Sequence, residues 1–101
     1  MDTRTLIAEA KARFNHNSAK AQLKDKYDGK FMVADQGGLW KASPEFIAFL
    51  HAVDDNFVVL IDNFDTPVEV KREDLLKVLK DTYQKVMLAW YKEWKELESK
   101  R

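Results

Sequence analysis

The 101-residue chain has no cysteine, so disulfides, thiolate nucleophiles and cysteine-based zinc sites are excluded. Glycine occurs three times and proline twice, too seldom for a collagen-like or low-complexity chain. Net charge is missing as well: 17 Lys and Arg residues balance 17 Asp and Glu. That balance argues against a strongly basic nucleic-acid binder and against a polyanionic tail. No stretch approaches the ~18 apolar residues that a membrane span needs. Met1-Asp2-Thr3-Arg4-Thr5 is not followed by an apolar core, so no secretory signal is expected. The expected compartment is the cytoplasm, of a cell or of an infected host. What is present is 46% apolar and 34% charged residues, the mixture of a folded globular chain. The length suits one domain, 1–101.

Residues 3–14 read as helix, with Leu6, Ile7, Ala10 and Phe14 at helical spacing and Arg4, Glu9, Lys11 and Arg13 between them. Asp2 or Thr3 can cap its free amides. Asn15-His16-Asn17-Ser18 interrupts the pattern, because Asn and Ser offer the backbone competing hydrogen bonds. Either Ser18 caps a second helix to about Tyr27 or one bent helix covers both segments. Asp28-Gly29 ends it, Gly tolerating positive φ. Lys30–Ala34 and Leu39–Ala42 read as strands around a Gln36-Gly37-Gly38 turn. Ser43-Pro44-Glu45 opens a helix through Val53, or Pro44 sits at a strand edge and Phe46–His51 is extended. Asp54-Asp55-Asn56 is a turn. Phe57–Ile61 is the clearest strand, apolar on both faces and so expected to be covered on both. After a loop at 62–67, Val68–Lys71 alternates as an edge strand should. Arg72 to about Glu98 is helical, with Glu73 and Asp74 in the first turn and a stripe of Leu75, Leu79, Tyr83, Val86, Trp90, Trp94 and Leu97.

Charge is segregated along the chain. Residues 31–70 hold one basic and seven acidic groups, net −6, while residues 1–30 and 71–101 are each net +3. The motifs of catalysis are missing: there is no G-x-S-x-G elbow, P-loop or G-x-G-x-x-G, and a turn explains Gly37-Gly38. Acid–base work needs a carboxylate or His in an apolar pocket beside a partner; by pattern, Glu45 next to Phe46 is the sole carboxylate that comes near this. His16 sits in a polar break and is expected to be solvated, and His51 to be a packed or edge residue. Asp54, Asp55, Asp62 and Asp65 are the best hard-cation candidates, but no calcium-loop frame contains them. No catalytic, cofactor-binding or metal-ligating residue is therefore assigned, no cofactor is expected, and the chain does not read as an enzyme. Lys11, Arg13, Lys20, Lys24 and Lys26, with Lys92, Lys95, Lys100 and Arg101, could contact phosphates, yet they alternate with acids as solvated helix faces do. The aromatics that could stack on bases, Phe31, Trp40 and Phe57, lie on the acidic segment.

The last helix carries the least ordinary feature. Its 27 residues from 72 to 98 span ~40 Å at ~1.5 Å each, against a ~26 Å diameter for a compact domain of this size. Trp90, Tyr91, Trp94 and Leu97 at its far end need either the N-terminal helix or another chain to cover them, and Trp and Tyr are enriched at interface hot spots. These four are the interface candidates.

Residues 37–50 (GGLWKASPEFIAFL), residues 68–76 (VEVKREDLL) and the closing Tyr83…Met87…Trp90…Trp94 helix resemble a group of uncharacterised small proteins encoded by tailed phages of marine bacteria. The strand region, five short strands after an N-terminal helix, also resembles an Sm-like barrel. The first resemblance implies no catalytic residues and a place in the host cytoplasm or virion. The second implies ring assembly and RNA binding. The expected fold is α+β: an N-terminal helical segment (1–28), a small, strongly curved antiparallel sheet or Sm-like barrel (29–71) and a long C-terminal helix (72–98). The second arrangement has a helix at 44–53 packed on a four-stranded sheet. The expected function is a non-enzymatic structural, assembly or interaction protein, partnered by another copy or another protein and not by a membrane. The alternative is an Sm-like nucleic-acid-binding oligomer.

Overall fold

Good helix formers outweigh the polar interruption near the N-terminus. In the computed structural model, which describes the backbone of residues 3–100 and the side chains of residues 8, 10 and 16–100, one helix α1 (Thr3–Asp28) runs through Asn15–Ser18 without a break. Asn and Ser cost a helix only a few tenths of a kcal/mol each. The His16 side chain finds a partner in a second helix, so it is nearly buried and not solvated. The capping residues and the stripe through Leu6, Ile7 and Phe14 lie outside the described residues; Ala10 is exposed. Gly29 ends α1 without using positive φ: the chain tightens into a 3-10 turn (Gly29–Phe31) and becomes extended at Met32.

Two hairpins follow, each a separate antiparallel sheet. The first joins β1 (Met32–Asp35) to β2 (Gly38–Lys41), with Val33 opposite Trp40. Its turn places Gln36 and Gly37 at φ of 50° and 81°, the left-handed pair that matches strand twist. A Cβ on Gly38 would collide with the Trp40 indole, which folds back to donate from Nε1 to the Asp35 carbonyl at 2.9 Å. The second joins β3 (Phe57–Ile61) to β4 (Pro67–Lys71). Between the hairpins lies helix α2 (Pro44–Ala52), so the extended alternative for Phe46–His51 does not hold. Ser43 is extended and its Oγ accepts the Phe46 N–H at 3.2 Å, with Pro44 where a helix has an N–H to spare. The expected fifth strand is thus a helix, and the strands close no barrel among the described residues; neither do they form one four-stranded sheet. Among the described residues, Leu39 and Asn63 alone tie the hairpins backbone to backbone, through Asn63 N–H to Leu39 C=O at 2.9 Å.

β4 leads directly into α3 (Arg72–Ser99). Arg72 fastens this junction: its guanidinium donates to the carbonyls of Leu50, at the end of α2, and Asp55 at 3.1 and 3.0 Å. Trp40, Leu50, Val70, Leu75 and Leu79 are the fully buried large side chains, so the core lies between the hairpins, α2 and the first half of α3. Val58, Leu60 and Val68 pack on it, whereas Phe57, Val59 and Ile61 on the opposite face are exposed. The expectation that both faces of β3 are covered fails because the helices lie on one side only of this hairpin.

The radius of gyration is 19.5 Å and the extents are 65 × 24 × 20 Å, where a compact chain of this length has ~13 Å. The shape is a head with a helical stalk. α1 and α3 run antiparallel, His16 meeting Glu98 and Phe31 meeting Tyr83.

Candidate functional site

The stalk brings aromatic and charged residues together because its two helices approach along their half-apolar faces. Tyr27 lies flat against Trp90, with centroids 6.1 Å apart and planes within 4°. Lys30 Nζ sits 4.7 Å above the Tyr27 ring, a cation–π arrangement. The Tyr27 hydroxyl donates to Glu93 Oε1 at 2.6 Å, and Lys26 Nζ donates to the same oxygen at 2.7 Å. Hydrogen bonding by Lys26, then by Tyr27, holds the Glu93 carboxyl below its ordinary value. The same carboxylate raises the Tyr27 phenol and the Lys26 ammonium above theirs. Farther out, His16 Nε2 and Lys20 Nζ approach Glu98 Oε1 at 3.0 and 3.7 Å. A shallow groove between the helices is lined by Leu23, Lys26, Glu93 and Leu97, among others.

The four interface candidates divide between two faces. Trp90 and Leu97 turn toward α1 and are half-buried. Tyr91 and Trp94 turn outward, 54% and 37% exposed, and stack on each other with centroids 6.2 Å apart. Leu88, 65% exposed, precedes them by one turn. Leu88, Tyr91 and Trp94 thus form one outward strip at a spacing of three residues, a spacing that puts side chains side by side on a helix. Leu88 escaped sequence reasoning because it falls off the buried stripe; its i−3 relation to Tyr91 was the available signal.

The remaining residues of interest are dispersed. Asp62 is 6% exposed and acts as a brace. Its Oδ1 accepts the N–H groups of Phe64 and Thr66 at 2.9 and 3.1 Å, and its Oδ2 accepts that of Leu39 at 3.1 Å. Burial by itself would raise this carboxyl; the N–H donors of Leu39, Thr66 and Phe64 outweigh burial and hold it below its ordinary value. Asp54, Asp55 and Asp65 are exposed, and Asp65 takes a left-handed φ of 58° in the turn. Among the described residues no group of three or more His, Cys, Asp or Glu is placed to hold a metal ion. Glu45 and His51 are exposed at opposite ends of α2. No helix among the described residues is long and apolar enough to cross a membrane. Comparison with protein-family models, with curated proteins and with solved structures finds no match to this chain.

Proposed function

We propose that the chain is a non-enzymatic assembly or interaction protein that associates with further copies of itself through the outer face of its stalk. The observation that carries this reading is the strip Leu88, Tyr91 and Trp94, three large apolar side chains exposed together on α3. α1 covers Trp90 in part and Trp94 stays 37% exposed, so the chain's own helix does not fully enclose both indoles. Trp and Tyr are enriched among the few residues that carry most of the binding energy in protein interfaces. The test is size exclusion with light scattering at high micromolar concentration. An oligomer that Trp94→Ala dissociates supports the reading; a strict monomer overturns it. An Sm-like nucleic-acid binder draws less support, since the hairpins are separate and residues 31–70 carry net −6. It calls for salt-dependent binding of single-stranded RNA in fluorescence anisotropy.

A further inference from the structure

The two edges of the second hairpin are treated differently. Backbone bonds from Arg72 N–H to Asn56 C=O and from Asp62 N–H to Thr66 C=O fix the phase of the ladder. Val58 pairs with Val70 and Leu60 with Val68 through hydrogen bonds, so the N–H and C=O groups of Phe57, Val59 and Ile61 point away from β4. Among the described residues, none of those backbone groups meets a partner outside its own hairpin. The outer edge of β4 is blunted instead. Pro67 has no N–H, and the Gln36 side-chain amide accepts from Lys71 N–H at 2.7 Å and donates to its carbonyl at 3.2 Å. β3 has no such protection: Phe57-Val58-Val59-Leu60-Ile61 contains no charge and no proline. Phe57, Val59 and Ile61 are 60%, 64% and 63% exposed, so an apolar face adjoins the open backbone edge. Beyond the Leu39–Asn63 tie the hairpins separate into a cleft lined by Trp40, Lys41, Phe46 and Ile61.

The surroundings of this edge are acidic on balance. Asp54 and Asp55 precede β3, Asp65 follows it, and Glu69 stands opposite Val59; against these four exposed acids stand two exposed bases, Lys71 opposite Phe57 and Lys41 in the cleft. Two copies of β3 paired antiparallel would bring Asp54 and Asp55 of one toward Asp65 of the other, which like charge disfavours. We propose that the open edge of β3 binds an extended segment of another protein, with alternating apolar residues and Lys or Arg at both ends, as an added strand. Main-chain hydrogen bonds would supply affinity and the acidic flanks would set partner choice. This surface is separate from the Leu88–Trp94 strip, so it stands or falls independently of self-association there.

The probe is a fluorescein-labelled peptide, Lys-Lys-Val-Thr-Val-Thr-Val-Lys-Lys, read by anisotropy and by amide chemical shifts of the full chain. Saturable binding is expected, with shifts centred on residues 54–65. Glutamate in place of the four lysines should weaken it at least about tenfold. N-methylation of the peptide amides facing β3 should abolish it, and so should Val59→Lys, a change at an exposed site that leaves the core intact. Unbound peptide at millimolar concentration, equal binding of the methylated peptide, or shifts confined to the helices would overturn the proposal. So would a dimer of the protein that Val59→Lys dissociates, since that would assign the edge to a second copy.

Discussion

At the scale of single residues, burial separates those that hold the fold from those that are merely charged. Leu79 is fully enclosed, and Leu79→Ala should cost about 2–5 kcal/mol in urea unfolding. Asp54→Asn and Asp65→Asn, at exposed turn positions, should change stability by less than about 0.5 kcal/mol. Asp62 differs from its acidic neighbours because three backbone N–H groups converge on its carboxylate. Its depressed pKa means that the folded state holds the ionised form more tightly than the unfolded chain does. The stabilisation is therefore complete above the ordinary carboxylate value of about 4 and is lost as pH falls through the lower folded value. Glu93 adds to the same acid limb. Tyr27 and Lys26 act oppositely: their pKa values are raised, so their contribution is complete below about pH 10 and fades above it. Thermal melts between pH 5 and pH 2 should fall less steeply for Asp62→Asn than for the unaltered chain. Its melting temperature at neutral pH should be lower, because an amide nitrogen would then face backbone donors.

Among the elements, local chemistry decides some boundaries and packing decides others. Ser43-Pro44-Glu45 carries a complete helix-start signal, and α2 begins there. Ser43→Ala removes the cap and should cost about 1 kcal/mol, seen as a lower denaturation midpoint with unchanged slope. The Asn15–Ser18 stretch carries a helix-stop signal, and α1 ignores it. A few tenths of a kcal/mol per residue cannot outweigh contacts such as His16 with Glu98. Phe57–Ile61 reads plainly as a strand, but its composition could not reveal how many layers cover it. Two apolar faces in sequence became one packed and one open face, because burial depends on what else the chain can supply. The stalk is held by aromatic stacking: Trp90→Ala removes a half-buried ring and its contact with Tyr27. It should cost about 2–3 kcal/mol, less than for full burial, and circular dichroism during denaturation reads it directly. Trp94→Ala, at a site 37% exposed and stacked on Tyr91, should cost the single chain less than Trp90→Ala and act chiefly on association.

For the whole molecule, length and shape carry the functional reading. A radius of gyration of 19.5 Å makes this chain an elongated body, and small-angle scattering of a dilute sample should show it. A compact value near 13 Å would contradict the stalk. The sequence by itself determined the element types: helix at each end, a hairpin turning at Gln36-Gly37-Gly38, the β3 and β4 strands, and a last helix longer than any compact body could enclose. Propensity, capping and periodicity act over a few residues, so they are written locally. The tertiary structure alone decided that the strands form two hairpins, that Asp62 braces them while Asp54, Asp55 and Asp65 stay in solvent, and that the aromatic end divides between Trp90 inside and Tyr91 and Trp94 outside. Those outcomes depend on which surfaces meet across dozens of residues, and two apolar side chains of the same kind differ in burial only through what lies opposite them.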